Sequence, residues 1–299
     1  MSPVIVNIGP WSIRWYGLMY VVAIVVGIFL ASREVKRRNL HLTIDDLLDF
    51  VLLTIPIAII FARLYYVAFR WDHYSQHLSE IYQIWQGGLA IHGGLIGGAL
   101  ALFLFSRGMN LFTLITPWKG AFRGVKISFW VFADLIAPAV VLGQALGRFG
   151  NFMNGDAFGT PTDGPFGIIF PSGSPAGQQY PELHVHPTML YEMFGDLIIF
   201  GALWSLRTKP FKDGFLISLY AILYAALRFM VEFFRGDALC LLGGDSCVTG
   251  GATFLQSLRI AQVISVLIFL VFAWFMFRRK LYQQGSKSGH EPASTPAAS

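Results

Sequence analysis

The amino-acid sequence predicts an all-α polytopic membrane protein with about seven transmembrane helices. Hydrophobic residues make up 55% of its 299 residues, charged residues only 13%, and the mean hydropathy is +0.58. Soluble globular proteins carry about 25% charged residues. The apolar residues form long runs, and about 20 mostly apolar residues are enough for a helix to cross a bilayer. The sequence has no block of like charges interleaved with aromatic residues, so nothing in it indicates a nucleic-acid partner.

The predicted helices cover most of the chain. They are 15–32, 47–69, 88–106, 127–152, 189–206, 213–234 and 258–277. Only one basic residue, Arg14, precedes the first run, and no small-residue cleavage site follows it. This indicates a retained helix and not a cleaved signal peptide. We expect one membrane domain over 1–282, with an extracytoplasmic cap over 153–188, and a disordered cytoplasmic tail over 283–299.

The distribution of basic residues predicts the orientation of the helices. Fifteen of the 22 Lys and Arg residues lie in the segments that follow predicted helices 1, 3, 5 and 7, whereas the 153–188 segment has none. Cytoplasmic loops of membrane proteins carry an excess of Lys and Arg. The N-terminus is therefore expected outside and the C-terminus in the cytoplasm.

The two cysteines, Cys240 and Cys247, lie between predicted helices 6 and 7, on the side expected to be outside. An oxidising compartment would allow them to form a disulfide. Two unpaired thiols remain the alternative.

Three arginines lie inside predicted helices: Arg63, Arg148 and Arg228. Each costs about 2.5–3.5 kcal/mol at the centre of a membrane, so each needs a bundle interior, a partner or a ligand. For one arginine alone, a structural ion pair or a side chain that reaches the surface is sufficient explanation.

However, the helix directions place many polar residues at one depth, in the outer half of the membrane. These residues are Tyr16, Arg63, His92, Arg148, Tyr191, Glu192 and Arg228. The inner half holds little besides Asp134 and Asp196. This convergence predicts a site that opens toward the outer leaflet.

Helical spacing groups some of these residues on shared faces. One face carries Gln144, Arg148, Asn151 and Gly155, and another carries Tyr224, Arg228, Glu232 and Arg235. Arg228 and Glu232 are four residues apart and can form an ion pair. Two arginines from different helices at one level suit a phosphate group, because guanidinium groups bind phosphate bidentately. The anionic ligand most available in an outer leaflet is a phospholipid headgroup.

His92 stands in the glycine-rich stretch "AIHGGLIGGAL". The glycines match two overlapping small-xxx-small patterns, which favour close helix packing. His92 itself is either a hydrogen-bonded structural residue or a titratable group beside exposed backbone.

The glycines of "GNFMNG" either end a helix or let the backbone approach a ligand. His184 and His186 of "HVHP" lack a third ligand, so we expect no metal and no cofactor.

Six segments resemble a known family in order and spacing. They are "WYGLMY", "ARLYYV", "GGLAIHGGLIGG", "GRFGNFMNGDAFG", "HPTMLYE" and "YAALRFMVEFFR", and the likeness extends from about residue 8 to about residue 278. The sequence is thereby similar to the bacterial prolipoprotein diacylglyceryl transferases. The resemblance implies a seven-helix enzyme of the bacterial inner membrane, with its active site toward the periplasm. Its expected partners are the bilayer, phosphatidylglycerol and the lipobox cysteine of a preprolipoprotein signal peptide. The diacylglyceryl group moves from the lipid to the cysteine thiol, and glycerol phosphate is released.

The resemblance also implies roles for individual residues. The family's essential residues fall on Tyr16, His92, Arg148, Asn151, Gly159, Tyr224, Arg228 and Glu232. We assign catalysis to His92, Tyr224 and Arg228. We assign lipid binding to Tyr16, Arg148, Asn151 and Arg228. Supporting roles go to Arg63, Asp156, Gly159, Glu192 and Glu232. The sequence departs from the family at Asp156, where Glu is usual, and at Met189, where Gln is usual.

The expected reaction explains why these residue types are needed. A free cysteine has a pKa of about 8.5, so a base or local positive charge must favour the thiolate. His92 is the candidate base, and a positioning role for it remains open. Arg148 and Arg228 would stabilise the charge of the departing phosphate. The alternative function is a lipid transporter or flippase that binds an anionic headgroup. Transporters often show inverted repeats and broken helices near the midplane, whereas here no repeat is visible and the polar groups lie away from the midplane.

Overall fold

Helices make up most of the protein, whose computed structural model describes residues 1–9, 11–108, 125–241, 247 and 257–285. The helices are α1 Trp15–Arg38, α2 Ile44–Phe69, α3 Trp71–Tyr74, α4 Ile91–Ser106, α5 Phe129–Asn154, α6 Pro175–Gln179, α7 Thr188–Leu206, α8 Phe215–Glu232 and α9 Ile260–Arg279. Two short 3₁₀ helices, Leu78–Glu80 and Ile84–Gln86, lie between α3 and α4. The predicted cytoplasmic tail lies outside the described residues from 286 onward.

Within the described part of the chain, six helices are long and apolar enough to cross a membrane: α1, α2, α5, α7, α8 and α9. They have 18–26 residues each, which corresponds to about 27–39 Å at 1.5 Å per residue. The helix α4 is apolar but has only 16 residues. The prediction of a helical, polytopic membrane protein is confirmed. The seven-span count and the orientation remain predictions.

The chain begins with a β-hairpin that the all-α prediction did not include. Strand β1 Val4–Ile8 pairs antiparallel with β2 Trp11–Arg14, and β2 leads directly into α1. The strands have only five and four residues. Such short strands leave little alternating pattern in a sequence, and the apolar run of α1 follows immediately.

The helix α5 lies at the centre of the bundle. It packs along α1 and α7 and also contacts α8, and it is the most buried of the long helices. The helix α2 packs along α4, and α8 packs along α9. We call the end of the bundle where α1 and α7 begin and α5 and α8 end the site end. The edge-to-face contact between Trp15 and Phe149 joins two of these elements, with ring centroids 5.6 Å apart.

The contact between α2 and α4 depends on two glycines. A Cβ at Gly93 would lie 2.2 Å from the backbone oxygen of Phe61, and a Cβ at Gly97 would lie 2.8 Å from that of Ile57. Gly98, by contrast, has open space around it. One of the two predicted small-residue patterns, Gly93 and Gly97, therefore lies at this helix contact.

Side chains and left-handed residues define several helix ends. Thr43 and Asp46 form a reciprocal capping box at the start of α2. The backbone N–H groups of Gly214 and Ile217, at the start of α8, each donate to the Asp134 carboxylate of α5 at 2.8 Å. Gly155 ends α5 with a φ of 71°. Of the two interpretations of the "GNFMNG" glycines, Gly155 therefore fits helix termination.

Candidate active site

Arg148 of α5 and Arg228 of α8 meet at one carboxylate, that of Glu192 on α7. Each guanidinium forms an ion pair with a different oxygen of Glu192. Arg228 also pairs with Glu232 at 2.6 Å, which is the predicted pair one turn along its own helix. Glu192 is fully buried, and the two arginine side chains are 18% and 19% exposed. Three helices thus place two guanidinium groups side by side, each still partly open to a ligand.

Asn151 links Arg148 to the start of α1. Arg148 donates to the Asn151 side-chain oxygen at 3.4 Å. The Asn151 amide donates to the Tyr16 hydroxyl at 3.1 Å and to the Asp156 carboxylate at 2.7 Å. Asp156 also accepts from Asn154 at 2.9 Å. The shorter carboxylate at 156 therefore still orients the Asn151 amide.

A cavity of about 380 Å³ opens beside Arg148, between α1, α5 and α8. Its lining residues are Tyr16, Tyr20, Ala23, Ile24, Ala139, Val140, Gly143, Gln144, Gly147, Arg148, Asn151 and Tyr224. The polar groups lie at the site end, and the opposite part of the lining is apolar. Tyr224 of α8 lines the cavity together with Arg148.

A second cavity of about 160 Å³ continues the first toward the middle of the bundle. The two share Ala23, Ile24, Ala139 and Val140, and the second is lined almost entirely by apolar residues of α1, α2 and α5. Together they form a space with a charged end and an apolar interior. We call the two together the Arg148 cavity.

The structure does not bring His92 into the lining of this cavity. His92 is half-buried at the start of α4, and its ring stacks on Tyr65 of α2 with centroids 5.8 Å apart. Its sequence neighbour Gly93 lies at a close backbone contact between α2 and α4. His92 is therefore at the site end, but on a different pair of helices from Arg148 and Arg228.

Arg63 also lies apart from the Arg148–Glu192–Arg228 cluster. It is buried, and it donates to four backbone oxygens of the segment between α3 and α4, those of Glu80, Ile81, Gly87 and Gly88. Its guanidinium also lies over the Tyr74 ring, 5.1 Å from the centroid. These contacts fit the structural interpretation of a single membrane arginine and attach this segment to α2.

Gly159 occupies a point where three backbone segments meet. Its N–H donates to the His186 oxygen at 2.8 Å, and it forms a bridge with Arg235 just after α8. A Cβ there would lie 2.5 Å from the His186 Cβ and 2.6 Å from the Phe234 oxygen. Gly159 thus connects the 153–188 segment to the end of α8.

His186 is oriented by Tyr191, since its Nδ1 lies 3.0 Å from the Tyr191 hydroxyl. Burial lowers the pKa of His186 below its usual value. Among the described residues, no group of three or more His, Cys, Asp or Glu side chains could hold a metal ion.

The two cysteines form a disulfide in the structure, with their Cα atoms 5.5 Å apart. Arg259, just before α9, attaches it to the site end. Arg259 is buried, donates to the backbone oxygen of Glu232 and donates to the Cys247 oxygen at 3.3 Å. The sequence analysis did not single out Arg259. A basic residue at the edge of an apolar run, near a possible disulfide, was the available signal.

Two further polar groups near the cavity were not predicted as site residues. Asp196 is fully buried one turn after Glu192, and within the described part of the chain neither of its oxygens has a hydrogen-bond partner. Tyr220 donates to Gln144, which lines the cavity, at 2.8 Å. The i, i+4 spacing of Glu192 and Asp196 was the signal that could have indicated the first.

Comparison with known proteins gives a consistent match over nearly the whole chain. A family model described as prolipoprotein diacylglyceryl transferase matches residues 3–278. A phosphatidylglycerol–prolipoprotein diacylglyceryl transferase of Geobacillus kaustophilus is 40% identical over 282 residues, 93% of each chain. Its namesake from Thermosynechococcus vestitus is 39% identical, covering 93% of this chain and 92% of its own. That of Bacillus mycoides is 37% identical over 96% and 95%.

Proposed function

The chain belongs to the prolipoprotein diacylglyceryl transferase family, and from this premise we propose its reaction. It transfers the diacylglyceryl group of phosphatidylglycerol to the lipobox cysteine thiol of a preprolipoprotein. The products are a thioether-linked prolipoprotein and glycerol phosphate. This is the first step of bacterial lipoprotein maturation.

The observation that carries the proposal is the shape and polarity of the Arg148 cavity. A phospholipid has a phosphate at one end and acyl chains at the other. The Arg148 guanidinium lies at the site end of the cavity, Arg228 is joined to it through Glu192, and the cavity continues between α1, α2 and α5 as apolar space. Arginine forks match phosphate oxygens, and the apolar part suits the acyl chains.

The chemistry follows from these groups. The substrate sulfur forms a bond to a glyceryl carbon, the carbon–oxygen bond to phosphate breaks, and the electron pair leaves with glycerol phosphate. Negative charge on the departing phosphate increases beside Arg148 and Arg228, which stabilise it in a water-poor site. Tyr16 and Asn151 position the headgroup, and Tyr224 donates to a phosphate or glycerol oxygen.

Glu192 holds both arginines in place before the lipid arrives. Because the Glu192 carboxylate forms ion pairs with both Arg148 and Arg228, it holds the two guanidinium groups at a fixed distance from each other. The phosphate then binds the guanidinium faces that Glu192 leaves open. In this proposal Glu192 positions the arginines and does not itself touch the reacting atoms.

His92 takes or holds the thiol proton in the proposed reaction. Because His92 is on α4 and not in the cavity lining, the lipobox cysteine must lie between α4 and the arginines. The peptide therefore approaches from a different side than the lipid. The His92→Gln variant distinguishes the base role of His92 from a positioning role.

The proposed location is the bacterial cytoplasmic membrane, with the site end on the periplasmic side. The single membrane domain would cover residues 1–282, and the 153–188 segment would form part of an outer cap. The basic segments after α1 and α7 support this orientation. Thiol reagents added outside should label cysteines introduced at 153–188 and not those at 33–38. Labelling in the reverse pattern would place the site on the cytoplasmic side.

A direct assay tests the transfer itself. The purified full chain is incubated with phosphatidylglycerol and a lipobox peptide, and the peptide mass is measured. We expect a diacylglyceryl mass increase that requires the peptide cysteine and is absent with a serine peptide. Lipid movement across vesicles without any peptide modification would instead support a lipid flippase.

A further inference from the structure

A second charged cavity lies at the end of the bundle opposite the Arg148 cavity. Its volume is about 270 Å³. The polar residues that line it are Arg37 and Arg38 of α1, Asp134 of α5, and Arg207, Thr208, Lys209 and Lys212 of the connection between α7 and α8. The proposed transfer reaction uses none of them.

The cavity has more positive than negative groups. Glu34, which is only 4% exposed, is the carboxylate around which the arginines gather. Arg37 donates to it at 2.9 Å and Arg38 at 2.6 Å, and the Arg207 Nε lies 3.5 Å away. Three guanidinium groups therefore share one buried carboxylate.

The other acidic group of the lining is already used. Both oxygens of Asp134 accept backbone N–H groups at the start of α8. Lys209 and Lys212 line the cavity, and the described part of the chain gives neither an ion pair. Five basic side chains thus line the cavity, and Asp134, its acidic lining residue, is occupied by backbone donors.

Arg207 shows the missing acceptor most directly. Its Nε is buried and has no hydrogen-bond partner among the described residues, because the Glu34 contact at 3.5 Å is too long or poorly aligned. Burial lowers the pKa of Arg207, the charge of Glu34 opposes this, and the charge of Arg37 adds to it. A buried donor without a partner is unfavourable. An anion in the cavity would place negative charge beside the Arg207 guanidinium.

The depth of the cavity suits a lipid headgroup. Arg38 follows Tyr16 by 22 residues on α1, which corresponds to about 33 Å along the helix. The hydrocarbon core of a bilayer is about 30 Å thick, so the two cavities lie near opposite membrane surfaces. Arg207 also stacks over Trp204, 3.5 Å from its ring centroid, and tryptophan is enriched at the membrane–water boundary.

We propose that this cavity is a second anion site, which binds the phosphate group of an anionic phospholipid from the leaflet opposite the Arg148 cavity. Basic pockets between transmembrane helices bind such headgroups. A free phosphate ion has the same binding chemistry, so the test separates the two sources. Basic residues that only set membrane orientation need no shared, buried carboxylate. Arg278 and Arg279, at the same end and exposed, provide that comparison.

The experiment measures lipid binding to the delipidated full chain in detergent by native mass spectrometry. The test variant is Lys209→Gln with Lys212→Gln, and the matched control is Arg278→Gln with Arg279→Gln. Each removes two positive charges from the same end of the bundle. All proteins also carry Arg148→Ala and Arg228→Ala, so that the first cavity does not contribute. The probes are phosphatidylglycerol, phosphatidylcholine and inorganic phosphate.

We expect one phosphatidylglycerol bound to the parent and to the control, with affinity about 10–30-fold weaker in the test variant. Phosphatidylcholine should bind more weakly because its headgroup carries a compensating positive charge. Inorganic phosphate that binds or competes while phosphatidylglycerol does not would identify the free ion as the ligand. Equal phosphatidylglycerol binding by test and control variants would overturn the proposal, as would failure of both phosphate-containing anions to bind the parent.

Discussion

Replacing Glu192 by Gln is the perturbation that tests the architecture of the active site most sharply. The substitution keeps the size and hydrogen-bonding ability of the side chain and removes the charge that Arg148 and Arg228 share. Each charge pair about 4 Å apart contributes about 4 kcal/mol at an effective dielectric constant of 20, or about 8 kcal/mol for two. Desolvation of the buried carboxylate offsets several kcal/mol of this. We expect Glu192→Gln to lower the free energy of unfolding by about 3–5 kcal/mol.

The unfolding of the full chain in mixed detergent micelles measures this change. Glu232→Gln is the graded comparison, because in the described part of the chain Glu232 forms an ion pair with Arg228 alone, and its loss leaves Arg228 bound to Glu192. Asp163→Asn is the surface control, because Asp163 is exposed, and should stay within about 0.5 kcal/mol of the parent. The expected order of destabilisation is Glu192→Gln, then Glu232→Gln, then Asp163→Asn.

Phosphatidylglycerol extends the test to function. A bound phosphate would provide the negative charge that the variant lacks, so the lipid should stabilise Glu192→Gln more than it stabilises the parent. A ligand at 100 times its Kd stabilises a protein by about 2.7 kcal/mol, which sets the scale of the difference. If Glu192→Gln is as stable as Asp163→Asn, or gains no more from the lipid than the parent does, the shared-carboxylate reasoning is wrong.

Four further outcomes are expected. Arg148→Lys should lower transfer by about 10²–10³-fold, because an ammonium group cannot reproduce the fork, whereas Arg70→Lys on the exposed end of α2 should retain activity. His92→Gln should still bind phosphatidylglycerol, lose transfer by about 10²–10⁴-fold and regain part of it as pH rises toward the thiol pKa of about 8.5; an unchanged pH profile would exclude the base role. Gly93→Ala should lower stability by about 1–3 kcal/mol because its Cβ meets the backbone of α2, and Gly98→Ala, with open space, should not destabilise. Burial lowers the pKa of His186 in the folded protein, so below pH about 6.5 the unfolded state binds more protons than the folded state. The melting temperature should therefore decrease as the pH is lowered through this range. His186→Gln should make this decrease smaller, and an equal decrease would contradict the assignment.

The positions of the long helices could be predicted from the sequence because apolar runs alone determine them. The predicted 189–206 corresponds to α7 at Thr188–Leu206, and 127–152 corresponds to α5 at Phe129–Asn154. The Arg228–Glu232 pair was also predictable, since i, i+4 contacts depend only on the geometry of one helix. Local periodicity gives no further information on which helices contact each other.

Contacts between helices are where the prediction was incomplete. The common depth of the polar residues indicated a site, but not that Glu192 would join Arg148 to Arg228. Depth along a helix also does not give the direction of a side chain around it. Arg63 and His92 have the same depth as the cluster, yet they pack in the α2–α4 pair. Only the packing of α5 against α7 and α8 distinguishes the two groups.

The contact between Asp134 and the start of α8 has a consequence for biosynthesis. Gly214, which donates to Asp134, is made 80 residues later. At about 5–20 residues per second, roughly 4–16 s separate the two on the ribosome. For most of that interval α5 is complete while its carboxylate lacks both backbone donors, and a charge without partners resists burial in a bilayer. We therefore expect the start of α5 to stay at the membrane surface until α8 is made, and the two helices to reach their final depth together.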